Sequence, residues 1–161
     1  MKKILFLAYV LIFISFTNCS SVKVTYDKEA PFSQYKTFAY VKPQHKILLP
    51  VEYQKIIYHS IDRFIRDIPL RPDAHQPDIL VRIEMDFHKR YDMYAPPVYP
   101  PPAMHGRRSY EGNIDIIFID ARSNREVWKA RFPLIFSSRK DLMHQLEKRL
   151  RRLKESYPPI N

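Results

Sequence analysis

The chain has 161 residues, 45% of them apolar and 27% charged, a balance that suits one globular domain with one core and excludes a disordered polymer. Its formal charge of +10 favours anionic partners, and its single cysteine excludes an intrachain disulfide. The two glycines, Gly106 and Gly112, are too few for the Gly-rich phosphate cradles of nucleotide-dependent enzymes.

The first element is a leader. Lys2 and Lys3 introduce an apolar run from Ile4 to Phe16, followed by Thr17 and Asn18, which is the layout of a secretory signal. A spanning helix needs roughly 20 apolar residues, and this run is shorter. Phe16-Thr17-Asn18-Cys19 resembles a bacterial lipobox, with Phe16 and Asn18 standing where Leu and a small residue are usual. The resemblance implies that residues 1–18 are a lipoprotein signal peptide, that Cys19 takes a diacylglyceryl group and an acyl chain such as palmitate, and that residues 19–21 form an acylated tether. Residues 22–161 are then the domain, with a charge of about +8 once Lys2 and Lys3 are gone. Soluble export with a free thiol and an uncleaved anchor are the competing readings of this segment.

Past the tether, Val22, Val24 and Tyr26 alternate with Lys23 and Thr25 as in a half-buried strand, and Thr37 to Val41 reads as a second. From Pro50, Ile57, Ile61, Phe64, Ile65 and Ile68 recur at helical spacing until Pro69. Pro77 to His88 predicts a strand with Val81, Ile83, Met85 and Phe87 on one face and Arg82, Glu84, Asp86 and His88 on the other. Asn113–Asp120 and Glu126–Phe136 predict two more strands joined by a turn at Arg122-Ser123-Asn124-Arg125, with Pro133 at an edge or a bulge. The last helix opens at Ser138, capped with Asp141, buries Leu142, Leu146, Leu150 and Leu153, and ends before Pro158. Two strands, a helix, three strands and a helix predict an α+β two-layer sandwich, a largely antiparallel sheet of about five strands with both helices on one face.

Val24-Thr25-Tyr26-Asp27, Phe32 to Tyr40, Pro77 to Val81, Gly112 to Asp120, Glu126-Val127-Trp128-Lys129 and Tyr157-Pro158 together resemble the DUF4136 family of bacterial envelope lipoproteins. The resemblance implies a lipoprotein without assigned catalytic residues or cofactor. It departs from the family where the link between the third and fourth strands is rich in proline.

Within that link, Tyr91, Tyr94, Tyr99 and Tyr110 interleave with Pro96, Pro97, Pro100, Pro101 and Pro102. Such a stretch is either a preformed polyproline II arm for a partner or a soluble connection. Lys148, Arg149, Arg151, Arg152 and Lys154 make the last helix a candidate contact for an anionic surface such as lipid phosphates or lipopolysaccharide, against the ordinary reading of a solvated face. His88, Met93, Met104 and His105 lack a fixed ligand spacing, so no metal is expected, and His59 and His144 fall on helices. Asp78, Glu84, Asp86, Glu111, Asp115 and Asp120 supply carboxylates, but nothing in their spacing brings two together for acid/base work. The expectation is a non-catalytic accessory module, anchored by acyl chains on Cys19 to the outer membrane and facing the periplasm. Its partner would be another envelope protein or an anionic envelope polymer, not nucleic acid. The alternative is a small envelope hydrolase.

Overall fold

The computed structural model describes residues 22–94 and 105–157. In chain order these form β1 (Lys23–Tyr26), a 3-10 turn (Phe32–Gln34), β2 (Thr37–Val41), α1 (Val51–Arg66), β3 (Arg71–Pro72), β4 (Ile79–Tyr94), β5 (His105–Asp120), β6 (Glu126–Phe136) and α2 (Arg139–Ser156). The described strands make one six-stranded sheet in the order β1-β6-β5-β4-β2-β3. The sixth strand is β3, whose two residues pair with Thr37 and Phe38 and are too few to carry a periodic signal. β2 runs parallel to both β3 and β4, with α1 in the crossover that parallel neighbours require; the other pairings are antiparallel.

The core follows the alternation. Ile79, Val81, Ile83, Met85 and Phe87 of β4 and Trp128, Ala130, Phe132 and Leu134 of β6 are buried on the helix side. They join Ile57, Ile61, Phe64 and Ile65 of α1 and Leu142, Leu146, Leu150 and Leu153 of α2 in one cluster. Each such side chain stabilises the fold by about 1.5–3 kcal/mol when fully buried. Pro50 stands at the N-cap of α1, and the helix closes on Asp67, leaving Ile68 buried in the turn beyond. Ser138 caps α2 by accepting a hydrogen bond from the Asp141 N–H at 3.2 Å, while the Asp141 carboxylate accepts from the Ser137 N–H at 3.3 Å.

Local chemistry sets the strand ends. Asn124 takes the left-handed conformation, with φ of 55°, that closes the β5–β6 turn. Where Phe118 faces Trp128 but Ile119 faces Glu126, a bulge leaves Val127 as the extra residue, and both Val127 and Trp128 turn into the core. Pro133 pairs with Asn113 beyond the reach of β1, which ends opposite Arg131, so its missing N–H costs no inter-strand bond on that side. Gly112 lies against β4: a Cβ there would fall on the Asp86 carbonyl oxygen and 2.7 Å from Phe87 Cα.

The largest difference from expectation is the length of β4 and β5. Instead of stopping at His88 and resuming at Asn113, their pairing continues to Tyr94 opposite His105. β6 ends opposite Tyr110, so the distal part is a two-stranded ribbon with no third strand beside it. Lys89-Arg90-Tyr91-Asp92 shows no apolar alternation because the ribbon runs past the core it would otherwise cover.

Candidate functional site

Among the described residues, a concavity lies on each side of this framework. The first, of about 510 Å³, lies on the open face of the sheet, between the Gln44–Lys46 loop and the outward residues of β4, β5 and β6. At its floor Asp115 is 6% exposed, although it interrupts the apolar run Ile114 to Ile119. Arg131, on the neighbouring strand, meets it with two parallel hydrogen bonds of 2.6 and 2.7 Å, and Lys129 Nζ lies 3.3 Å away. Burial pushes the Asp115 carboxyl up, but the Arg131 hydrogen bond and the two positive charges outweigh it and hold the pKa below the usual carboxylate value.

Beside this pair, Arg82 donates to Glu126 at 2.8 Å, while its Nε lies 3.4 Å from Glu84 without hydrogen-bond geometry. Glu84 accepts the Gln44 N–H at 2.6 Å and so straps the loop across the basin. The basin therefore gathers Glu84, Asp86, Asp115 and Glu126, but Glu84, Asp115 and Glu126 are already committed to cations. In the sequence Asp115 is one carboxylate among several scattered ones. Its signal was a lone acid inside Ile114-Asp115-Ile116-Ile117, with Lys129 and Arg131 two apart on the neighbouring strand.

Other carboxylates hold the fold. Asp78 accepts hydrogen bonds from the Lys36 N–H at 2.9 Å, the Thr37 N–H at 3.1 Å and the Thr37 hydroxyl at 3.0 Å, clamping β2 to the start of β4; the Lys36 bond is foremost in lowering its pKa. Asp120 accepts the Ser123 N–H at 2.7 Å and the Tyr35 hydroxyl at 2.8 Å, and the Ser123 bond leads in lowering its pKa. Glu111 pairs with Arg90 across the ribbon at 3.0 Å. At Asp78 and Asp120 the shift is downward, away from the raised pKa that a general acid needs near neutral pH.

The second concavity, about 1090 Å³, is the groove between α1 and α2 on the outer side of the helix layer. Phe64 and Leu150 lie buried at its floor, Val51 and Met143 stand exposed at one end, and its rim includes Lys55, Arg63, Arg139, Arg151 and Lys154. Arg151 pairs with Glu147 at 3.2 Å and Lys154 with Asp67 at 3.4 Å. His59 and His144 also line it, both exposed.

Among the described residues, those singled out in the sequence are spread over separate parts of the surface and core. Of the basic series, Arg151 and Lys154 border the groove, whereas Lys148, Arg149 and Arg152 do not line it, because five cations spread over seven positions at 100° per residue fall on different flanks. Tyr110 packs between Tyr53, 5.3 Å away, and Phe136, on which it stacks at 5.5 Å; Tyr91 is exposed. Tyr94 pairs with His105 at the ribbon's far end, and Met93 with Gly106. Cys19, Tyr99, Met104 and the prolines from Pro96 to Pro102 lie outside the described residues. Among the described residues no group of three His, Cys, Asp or Glu side chains is placed to hold a metal ion, and no helix is long and apolar enough to cross a membrane.

The model of the family described as "Domain of unknown function (DUF4136)" matches residues 22–159. No curated protein matches the chain. Among solved structures, a PDZ domain protein from Parabacteroides distasonis is similar at a TM-score of 0.56 and 17% identity, over 87% of this chain. The chain spans 36% of that protein's length, and at this identity the likeness shows a shared fold alone. A PelC dodecamer from Paraburkholderia phytofirmans (TM-score 0.48, 13% identity, 80% of this chain and 95% of that one) and a minor lipoprotein from Acinetobacter baumannii (0.40, 7%, 78% and 97%) are more distant. At these TM-scores neither bears on function.

Proposed function

Because the chain belongs to the DUF4136 family, whose molecular function is undefined, we propose that it is a lipid-anchored accessory module of the bacterial envelope, a binding protein and not an enzyme. The anchor is Cys19, acylated after removal of residues 1–18, and the domain sits at the outer membrane facing the periplasm. The observation that carries the reading is the adjacency of the signal layout, Cys19 and a folded domain that begins with β1 at Lys23. Support for binding over catalysis comes from the sheet basin, where Arg131 and Lys129 neutralise Asp115 and Arg82 lies between Glu84 and Glu126. A hydrolase working through a carboxyl pair keeps one carboxyl protonated as the general acid, and the shift at Asp115 is in the opposite direction. The hydrolase reading draws on one observation, the four carboxylates of that basin, and would be favoured if Asp86→Asn or Asp115→Asn abolished a hydrolytic activity while leaving folding intact.

Metabolic labelling with a fatty acid tests the anchor. Cys19→Ala should leave unlabelled precursor, and a mutant labelled as strongly as the parent overturns the reading. Protease treatment of intact cells should spare the domain; extensive cleavage would put it on the cell surface. Capture of the acylated protein from its own envelope identifies what it binds.

A further inference from the structure

Several elements of different kinds converge on one end of the domain. Val51 and Lys55 of α1 line the groove with Arg139 and Met143 of α2, while Asp67 and Lys154 meet at the opposite end, so the two helices run side by side in the same direction. The β4–β5 ribbon leaves the body where they start, because Tyr53 in the first turn of α1 packs on Tyr110 at the ribbon's root. Traced backwards, β1 heads for the same end: Tyr26 pairs with Trp128 and Lys23 with Arg131, toward the Phe136 terminus of β6 from which α2 follows. Cys19 precedes Lys23, which faces Arg131, by four residues, a reach of about 13 Å, against about 17 Å from Arg131 to Phe136 along the strand. A tether at Cys19 holds this end toward a bilayer more readily than the end where Tyr157 packs on Trp128.

The chemistry of that end fits such a surface. Val51 and Met143 are 61% and 57% exposed, Leu48, three residues before Val51, is 69% exposed, and Tyr91 on the ribbon is 58% exposed. Lys55 and Arg139 are exposed beside them and form no ion pair among the described residues, whereas Arg151 and Lys154, farther along the groove, are paired. Exposed apolar side chains beside two cations, Lys55 and Arg139, against one acid, Glu52, suit a surface that lies in an anionic headgroup layer.

We infer that this end is a membrane-contact face seated on an anionic phospholipid bilayer, with Val51 and Met143 entering the headgroup region and Lys55 and Arg139 against the lipid phosphates. The inference rests on the Cys19 tether for its orientation, and the following measurement is made without the tether. A chain starting at Ser20 keeps every described element and the whole core, and carries no acyl chain. It should float with phosphatidylglycerol vesicles and not with phosphatidylcholine vesicles at low salt. Each cation removed at the face should weaken binding about fivefold, so Lys55→Gln with Arg139→Gln should cost more than tenfold. Arg149→Gln with Arg152→Gln, the same change in charge on the flank of α2 away from the groove, should leave binding within about twofold of the parent.

Val51→Ser with Met143→Ser should lower binding without moving the thermal midpoint, since both side chains are exposed. Met143→Cys is then the only cysteine and takes an environment-sensitive dye, whose emission should shift to the blue on phosphatidylglycerol. Failure of the parent to bind anionic vesicles, equal loss in the two paired-charge variants, or an unshifted dye overturns the inference. Failure of Cys19 labelling in cells would count against the tether alone and leave the vesicle result standing.

Discussion

Trp128→Ala is the most exacting test of the packing described above. Trp128 is 1% exposed, its ring centroid is 4.8 Å from that of Phe118 and 6.0 Å from that of Tyr157, and it shares the helix-side face with Ala130 and Phe132. Truncating a buried Trp costs about 3–5 kcal/mol. Its indole Nε1, however, finds no acceptor among the described residues, and a buried donor left unbonded already costs the native state about 1–3 kcal/mol. Truncation relieves that penalty, so the net loss, taken from the middle of each range, should be about 2 kcal/mol. For a domain of this size that lowers the thermal midpoint by roughly 4–8 °C. Trp128→Phe keeps an aromatic ring against Phe118 and removes the unbonded N–H, so it should cost less than about 1 kcal/mol. Trp128 is the single tryptophan, so urea and thermal unfolding are followed by far-UV circular dichroism and not by fluorescence. An alanine variant within about 0.5 kcal/mol of the parent would mean that the indole is not packed as described. A phenylalanine variant as unstable as the alanine one would mean that the N–H is satisfied after all.

Gly112→Ala should destabilise the domain by about 1–3 kcal/mol, because its Cβ can be accommodated only if β4 and β5 separate at Asp86 and Phe87; a urea midpoint equal to the parent's would refute the close approach. Asp115→Asn should cost about 1–2 kcal/mol at neutral pH, less than a fully buried ion pair, since Arg131 and Lys129 reach solvent. The folded pKa of Asp115 lies below its unfolded value, so its contribution is fully present above about pH 4 and is lost as pH falls through the folded pKa; urea titrations of parent and variant should converge in acid, and a constant gap would refute the assignment.

The candidate surfaces were less legible than the frame. The Asp115 pair joins residues 16 positions apart, Arg82 and Glu126 are 44 apart, and Lys154 and Asp67 are 87 apart. Each contact depends on strand register or helix packing, and none leaves a local pattern. The basic series of α2 looked like one face because its members are close in sequence, and helical rotation separated them. Tyr110, grouped in sequence with Tyr91, Tyr94 and Tyr99, is part of the packing because it is the first β5 residue opposite β6, while Tyr91 lies beyond the end of β6 and stays exposed.

Periodicity and punctuation by themselves determined the two helices, their buried stripes, the alternation of β4, the Asn124 turn, the Ser138 cap and the α+β class, because each is a short-range preference that any solvent-facing element must obey. Tertiary structure alone decided the parallel pairing of β2 with β4, the two-residue strand β3, the extension of β4 and β5 to Tyr94 and His105, and the meeting of both helix starts with the ribbon at one end. Backbone hydrogen bonds between strands are indifferent to side-chain identity, so pairing and its direction are settled by which elements must cover a common core, a condition that exists only once the chain has folded.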